Sequence, residues 1–384
     1  MVIAGSKPPP QRTDAQTPGP VQPRKIVPVK AWALVGALIL TFQAYVMVKW
    51  LTGPYTQPVA PGPDTPPMAM KIAIVSYLII QWIMFVVIAY RVLIRPWRRE
   101  RRITFDGLLF FAWCAFFWFF DPVSNAAGNF FTYNAWIPNF GSWTLDTPGW
   151  LMPGSPGHMI PEPLIFGAGC YVVAFIPSTI FGSWLMRRTR ARWPRMGTFG
   201  LIGVYYATMV TLGLLVEGVW MRVGIYTFAG SIKSLTLFPD HYYALPVYES
   251  VLWGATLTGV AYMRWSMNDK GHSVAERGID RVKATPRRKD LLRGLAIIGM
   301  LDVIAIVTYT IPVLGFAAHS GAWPDDVIQR SYFTNGLCGP GTDTACPADN
   351  MPIFTRNSVT ITPDGRIHVP EGVEPLNQPT TLGK

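Results

Sequence analysis

Residues 163–186 read PLIFGAGCYVVAFIPSTIFGSWLM and contain no charged side chain. An apolar run of this length suits a membrane-spanning helix, which needs about twenty residues to cross a hydrocarbon core roughly 30 Å thick. The run is followed at once by RRTRARWPR, residues 187–195, and such clustered arginines are typical of the cytoplasmic membrane surface. This stretch predicts an integral membrane protein.

Six further apolar runs extend this prediction to most of the chain. Half of the 384 residues are hydrophobic and only 14% are charged, which is unlike an ordinary soluble domain. We therefore predict an all-α fold, a polytopic membrane helical bundle with about seven transmembrane helices. The odd number puts the two termini on opposite sides of the membrane. The predicted spans are approximately 31–51, 68–94, 103–120, 163–186, 197–219, 245–262 and 294–316.

The net charge of +11 is concentrated in four segments. Of the 33 Lys and Arg residues, 25 lie before the first span or within residues 91–102, 187–195 and 264–293. Short loops rich in Lys and Arg stay on the cytoplasmic side of a membrane. We therefore predict a multi-pass protein of the cell membrane, with the N-terminus in the cytoplasm and the C-terminus outside the cell. The membrane topology therefore explains the net positive charge. We expect membrane lipids, and not nucleic acid, as partners.

The segments outside the spans have distinct compositions. Residues 1–28 are polar and rich in proline, which predicts a disordered cytoplasmic tail without a cleavable signal peptide. The seven-span domain covers residues 29–318 and includes a long outward loop at 121–161. Residues 319–384 form an outward segment, in which SVTIT and RIHV around the turn PDG predict a small hairpin.

The four cysteines fall into two classes. Cys338 and Cys346, in LCGPGTDTAC, are predicted outside the cell, where oxidising conditions favour a disulfide bond between them; two free thiols are the alternative. Cys114 and Cys170 lie within spans and are predicted to pack as small apolar residues.

Four carboxylates are predicted at a similar depth near the outer ends of spans three to six. They are Asp121, Glu162, Glu217 and Glu249. Carboxylates are rare in spans unless they are paired or face a polar interior, and neighbouring carboxylates can divide the roles of acid and base between them. We predict these four as catalytic residues. The alternative for each is an interfacial or structural role, such as an ion pair of Glu217 with Arg222.

The outward loop at 121–161 is too aromatic for a solvated tether. It is predicted to rest at the membrane interface and to cover a cavity, with asparagine side chains that bind a polyoxygenated ligand. Arg222 and His241 are predicted to orient the carboxylates. The full set of predicted binding residues is Asn125, Asn129, Tyr133, Asn134, Trp136, Trp143, Arg222 and His241.

Other site chemistries have weaker support in the sequence. His158 and His241 with two carboxylates are an alternative, a transition-metal site, but no metal-binding His spacing occurs. There is no nucleotide-binding G-x-G-x-x-G and no G-x-S-x-G nucleophile motif, so no cofactor is expected. Asp302, in the middle of span seven, either reaches the same cavity or hydrogen-bonds neighbouring helices.

Several short motifs resemble one family. FDPVSN at the end of span three, then FTYNAW, GSW and PGW, and PEPL before span four are similar to the spirocyclase AveC family of actinobacterial integral membrane proteins. The resemblance implies dehydration and spiroketal formation on macrolide polyketides, with other polyketides or lipids as possible substrates. It transfers no catalytic residue.

The resemblance and the residues favour the same chemistry. Spiroketal closure and loss of water need positioned carboxyls and exclusion of water but no redox cofactor. The leading hypothesis is an acid/base cyclase or dehydratase that acts on an amphipathic polyketide- or lipid-like substrate. The alternatives are a transporter or binding component for such molecules and a structural subunit whose outward loops bind a protein partner.

Overall fold

A computed structural model describes residues 27–150, 160–349 and 359–369, apart from the side chains of Phe119 and Asp121. The chain in these ranges is mostly helical. Its long helical segments are α1 Pro28–Thr52, α2 Met68–Ala89, α4 Phe105–Asn125, α5 Leu164–Arg192, α6 Thr198–Val223, α7 Val247–Trp265 and α8 Pro286–Ala305. A π-helical turn, Tyr90–Ile94, joins α2 to α3 Arg95–Glu100, and a second, Ile306–Thr310, joins α8 to α9 Ile311–Ala317. Two short helices follow, α10 Asp325–Ile328 and α11 Ser331–Thr334.

Among the described residues, five helices are long and apolar enough to cross a membrane, which supports the prediction of a membrane protein. They are Pro28–Thr52, Met68–Glu100, Leu164–Arg192, Thr198–Val223 and Pro286–Ala317. The third predicted span corresponds to a shorter apolar stretch, Phe105–Trp118, and the sixth corresponds to α7, which is not among the five. Helix α7 is less apolar because it carries Glu249, Ser250, Thr256 and Thr258 on its buried side.

Helix α1 packs against α8 with direct contact between the two backbones. A Cβ atom on Gly36 would lie 2.1 Å from the carbonyl oxygen of Leu295, and one on Gly299 would lie 2.3 Å from that of Trp32. Both glycines are therefore required for this approach, as is usual where small residues let membrane helices pack closely.

Ion pairs join the helices at the end of the bundle that is predicted to be cytoplasmic. Arg264 near the end of α7 donates two hydrogen bonds to the carboxylate of Asp106 at the start of α4, at 2.7 and 2.8 Å. It also donates to Ser183 of α5 at 2.6 Å. This bidentate pairing fixes the ends of three helices relative to one another.

Short strands form a cap over the opposite end of the bundle. The strands are β1 Thr132–Tyr133, β2 Phe140–Gly141, β3 Pro161–Glu162, β4 Tyr226–Thr227, β5 Thr236–Leu237 and β6 Leu245–Pro246. They pair antiparallel as β1 with β4, β2 with β3 and β5 with β6. The segment predicted as an outward loop is therefore largely structured: α4 continues to Asn125, and most of residues 126–146 are buried.

The C-terminal segment also contacts the cap. The strands β7 Thr360–Ile361 and β8 Ile367–His368 pair as a small hairpin, and Cys338 forms a disulfide bond with Cys346. Asn335 donates a hydrogen bond to the carbonyl oxygen of Tyr133 at 3.0 Å, so this segment holds β1 in place.

Candidate active site

A cavity of about 40 Å³ lies where the ends of α4, α5, α6 and α7 meet the cap. This volume is sufficient for a few water molecules. Two carboxylates, Glu217 of α6 and Glu249 of α7, reach it from neighbouring helices. The described residues that line the cavity are Asn125, Phe131, Tyr133, Phe166, Cys170, Tyr171, Phe175, Glu217, Trp220, Tyr226, Phe228, Glu249, Trp253 and Tyr309.

The first carboxylate, Glu217, is paired with a tyrosine. Helix α6 ends at Gly224, whose left-handed conformation (φ of 85°) turns the chain back over the helix end. This turn brings Tyr226 of β4 to Glu217, and the Tyr226 hydroxyl donates a hydrogen bond to Oε2 at 2.5 Å. Burial, followed by the negative charge of Glu217, raises the pKa of Tyr226 well above its ordinary value. The phenol therefore keeps its proton and serves as a donor.

The second carboxylate, Glu249, is also paired with a tyrosine. It lies in the first turn of α7, where the positive end of the helix dipole stabilises an anion. The Tyr309 hydroxyl donates a hydrogen bond to Oε1 of Glu249. Tyr309 belongs to the π-helical turn Ile306–Thr310, a kind of interruption that often occurs at functional sites.

Aromatic rings surround the two carboxylates. Trp253 lies 4.2 Å from Tyr309 and 4.7 Å from Phe175 between ring centroids, and Phe131 lies 5.0 Å from Tyr226. The faces of such rings attract positive charge, most strongly when water is excluded. The cavity thus combines two carboxyls, the two phenols that donate to them and an aromatic lining that can stabilise a transient cation.

The cap contributes polar groups to the same cavity. Asn125, in the last turn of α4, donates a hydrogen bond to the hydroxyl of Tyr133 at 3.2 Å. The pairing of β1 with β4 puts Tyr133 opposite Tyr226. Strand β1 and the strand that carries Tyr226 are therefore positioned as one unit.

An apolar groove of about 510 Å³ lies beside the cavity. Its walls come from α5, α6 and α7, with Tyr77 of α2. Glu217, Phe175, Trp220 and Trp253 line both the groove and the cavity. Glu217 therefore lies where the cavity with the two carboxyls meets an apolar groove. The remaining lining residues are Val173, Ala174, Ser178, Met209, Leu212, Gly213, Leu215, Val216, Val219, Ser250 and Leu257.

Two of the four predicted catalytic carboxylates meet in the cavity. Glu217 and Glu249 line it together. Glu162 is fully buried in β3, opposite Phe140 of β2, and is not among the described residues that line the cavity. Asp121 lies in the last turns of α4, but its side chain is outside the described part of the chain.

Two of the predicted asparagine ligands have bonds within the cap. The Asn134 side chain donates to the carbonyl oxygen of Gly224 at 2.8 Å and accepts from the Trp136 amide at 3.0 Å. Asn129 adopts a left-handed conformation (φ of 57°), and its carbonyl oxygen accepts from the indole of Trp323 at 2.8 Å. Neither lines the cavity described above, whereas Asn125 and Tyr133 do.

The two predicted tryptophan ligands also lie outside the cavity lining. Trp143 is fully buried, and its ring packs 5.4 Å from that of Trp50. The ring of Trp136 lies 5.7 Å from the ammonium group of Lys71. These contacts join the cap to the C-terminal end of α1 and the N-terminal end of α2.

Arg222 and His241 lie on the exposed side of the cap rather than beside the carboxylates. The guanidinium group of Arg222 stacks 3.8 Å above the ring of Tyr243. His241 also stacks on Tyr243, and its Nδ1 is 3.8 Å from Asp326. The alternative metal site included His158, which lies outside the described residues.

Sequence reasoning missed Trp253 and the two tyrosines that donate to the carboxylates, Tyr226 and Tyr309. Tyr226 follows the Gly224 turn closely, and Tyr309 is one of three polar residues in the apolar run IVTYTIP, so both left a weak signal. Asp302 does not line the cavity. It is buried in α8, and its carboxyl oxygens have no hydrogen-bond partner among the described residues.

A comparison with protein families identifies the chain. The family model described as "Spirocyclase AveC-like" matches residues 100–333. The chain belongs to the AveC-like spirocyclase family. The AveC-like region begins at the end of α3 and runs to the end of α11, so it contains both Glu–Tyr pairs and the cap. No curated protein and no solved structure gives a significant match.

Proposed function

We propose that this AveC-like protein is a membrane-embedded acid/base cyclase or dehydratase that forms spiroketal-type products. The observation that carries the proposal is the cavity in which Glu217 and Glu249 each accept a hydrogen bond from a tyrosine. Membership of the AveC-like family supports the same class of reaction. Proton transfer by positioned carboxyls contributes typically 10²–10⁴-fold to rate.

The proposed reaction closes a dihydroxyketone into a spiroketal with loss of one water. One hydroxyl adds to the ketone and gives a hemiketal; one carboxyl then protonates the hemiketal hydroxyl, which leaves as water. The resulting oxocarbenium ion is stabilised by the other carboxylate and by the rings of Trp253 and Phe175. The second hydroxyl attacks this carbon and loses its proton to a carboxylate, so the site returns to its starting state. Dehydration begins with the same protonation and loss of water. It ends when the carbon next to the cationic carbon loses a proton to a carboxylate.

The apolar groove supports an amphipathic polyketide- or lipid-like substrate. The cavity of about 40 Å³ accommodates only a small part of such a molecule, whereas the adjoining groove of about 510 Å³ accommodates a chain. Because Glu217 lines both, a chain lying in the groove would bring its oxygenated part to the carboxyls. Proton transfer is the only chemistry this reaction needs, so we propose no cofactor.

We further propose a seven-span topology in the cell membrane, with the N-terminus in the cytoplasm and the C-terminus outside. Arginine-rich ends of α3 and α5 support the orientation. Cysteine substitutions near Arg98 and Thr344 test it with a membrane-impermeant thiol reagent on intact cells. Labelling near Thr344 alone is expected, and labelling near Arg98 alone would reverse the topology.

The experiment uses purified protein in lipid nanodiscs with a synthetic long-chain dihydroxyketone and with lipid and polyketide extracts. Mass spectrometry is expected to detect products that have lost one water with wild type. Glu217→Gln and Glu249→Gln are expected to lose product formation. Asp240→Asn, which removes a more exposed carboxylate in the loop after α6, is the matched control and is expected to behave as wild type.

A binding or transport component is the second candidate. The groove favours it, because Leu215 and Val219, two residues of its wall, are largely exposed on the outside of α6. If the glutamate variants retain the probe with wild-type affinity and wild type gives no product, the binding function replaces the enzymatic one.

A further inference from the structure

A second large cavity lies near the opposite end of the bundle from the candidate active site. Its volume is about 560 Å³, and it is bounded by α1, the α3–α4 turn, α4 and α8. We call it the basic groove. Its rim carries Arg101, Arg102 and Arg287, and its floor is apolar, with Leu40, Phe111 and Leu295. The rim is cationic, whereas the candidate active site, which we call the Glu–Tyr cavity, contains the two carboxyls Glu217 and Glu249.

Two arginines on the rim have no acidic partner among the described residues. Arg102 pairs with Glu100 at 2.8 Å, whereas neither Arg101 nor Arg287 is within ion-pair distance of a described acid. The one acid among the described residues of the groove wall, Asp290, accepts a hydrogen bond from Arg293 at 2.9 Å, and Arg293 also donates to Glu276 at 2.7 Å. The three arginines of the lining outnumber this one acid. The groove therefore keeps a net positive charge.

The end of α3 places Arg101 in the rim. Arg101 caps the C-terminus of α3 in a left-handed conformation with φ of 55°, and its backbone N–H donates to the carbonyl oxygen of Trp97. The chain therefore leaves the helix at this residue. Arg101 lines the same cavity as Arg287 in the first turn of α8.

The floor and the opening of the groove match a lipid rather than a soluble anion. Phe111 and Leu291 are both exposed on the outer face of the bundle and line the groove, so it is open to the surrounding hydrocarbon. Trp97, half exposed at the rim, is a residue type that favours the headgroup level of a bilayer. Basic pockets between membrane helices bind the headgroups of anionic phospholipids.

We propose that the basic groove binds one anionic phospholipid, with the phosphate between Arg101 and Arg287 and one acyl chain along Leu40, Phe111 and Leu295. The lipid ties the α3–α4 turn to the start of α8. This site does not depend on the chemistry proposed for the Glu–Tyr cavity, because the two cavities have no described lining residue in common.

Native mass spectrometry of the full chain released from detergent tests the proposal. Wild type is titrated with palmitoyl-oleoyl phosphatidylglycerol and, in parallel, with the phosphatidylcholine of the same chains. One equivalent of phosphatidylglycerol is expected to bind at least tenfold more tightly than phosphatidylcholine. Arg101→Gln/Arg287→Gln is expected to weaken phosphatidylglycerol binding roughly ten- to thirtyfold, since each basic side chain near an anionic headgroup contributes about a factor of five.

The matched control is Arg188→Gln/Arg195→Gln. Both arginines are exposed near the junction of α5 and α6, on the same end of the bundle, and neither lines the basic groove. This variant removes the same charge and is expected to bind phosphatidylglycerol as wild type does. If the two double variants lose affinity equally, the lipid responds to net charge alone and the proposal is wrong.

A variant of the floor tests the acyl-chain part of the site without changing charge. A Cβ on Gly294 would meet only Leu108 Cδ2, at 3.6 Å, so a side chain there fits and extends into the groove. Gly294→Leu is expected to reduce phosphatidylglycerol binding while the circular dichroism spectrum stays unchanged. If glycerol phosphate competes as well as the whole lipid, or if Gly294→Leu binds normally, the site takes a free anion and not a phospholipid. Equal retention of the two lipids by wild type would also overturn the proposal.

Discussion

The Tyr309–Glu249 pair gives the sharpest test of the proposed chemistry. Tyr309→Phe removes one hydroxyl and leaves the ring that packs 4.2 Å from Trp253. The hydrogen bond it removes is made to a buried carboxyl, and such charge-assisted bonds contribute about 1.5–3 kcal/mol. If the bond holds Glu249 in position in the transition state, loss of that free energy lowers the rate of product formation roughly 10- to 150-fold.

The assay measures loss of one water from the dihydroxyketone probe by wild type, Tyr309→Phe and Glu249→Gln in nanodiscs. Glu249→Gln is expected to have the larger defect, at least about 100-fold, because it removes the proton-transfer group and not only its neighbour. Thermal unfolding of each variant is measured alongside. If Tyr309→Phe reacts at the wild-type rate, or loses activity only in proportion to unfolded protein, the pair is structural and the reasoning fails.

Three further predictions concern other parts of the molecule. Because burial raises the pKa of Tyr226, Tyr226→Phe is expected to reduce product formation by the same factor at about pH 6 and about pH 9; a smaller defect at the higher pH would show that the phenol ionises there. Gly299→Ala, whose Cβ meets backbone atoms of α1, is expected to lower the thermal midpoint through overpacking of about 1–3 kcal/mol, whereas Gly315→Ala, with no described atom within 4 Å of its Cβ, leaves it unchanged or higher. Cys338→Ser/Cys346→Ser opens a loop with a sequence separation of 8, so the C-terminal segment is expected to lose about 2.5 kcal/mol and to be cleaved faster by protease; equal cleavage rates would contradict this.

The helices were predictable because each membrane-spanning helix leaves a long apolar run in the sequence. The predicted span 163–186 appears as α5, Leu164–Arg192, and the other six runs also coincide with helical segments. Within the described residues, five reach the length and apolar character of a membrane span. In α4 the described apolar stretch is the shorter Phe105–Trp118, and α7 exchanges apolar residues for the buried polar groups around Glu249. The buried polar face of α7 therefore weakens the hydropathy signal of that helix.

The candidate site was less predictable, because a similar depth does not determine which side chains face one cavity. Glu217 and Glu249 were predicted at one depth and line one cavity. Glu162 was predicted at the same depth, but it lies in strand β3, before α5 begins, and is not among the described residues of the lining. Tyr309 depends on a π-helical turn, which adds one residue to the helix and has no sequence pattern of its own. Strand pairing in the cap joins residues almost a hundred positions apart, as with Tyr133 and Tyr226, and such contacts leave no periodicity.

In the proposed reaction, the two Glu–Tyr pairs would let carboxyls transfer protons inside an apolar bundle. A lone buried carboxylate is destabilised by loss of hydration, and it would need water that also attacks an oxocarbenium ion. A phenol supplies a hydrogen bond without supplying a nucleophilic water. Tyr226 and Tyr309 come from different elements, a cap strand and a helical turn, so the carboxyls are held from two directions while the aromatic lining leaves about 40 Å³ between them. A site of this kind favours capture of the cation by a hydroxyl of the substrate itself, which is the outcome that distinguishes cyclisation from hydrolysis.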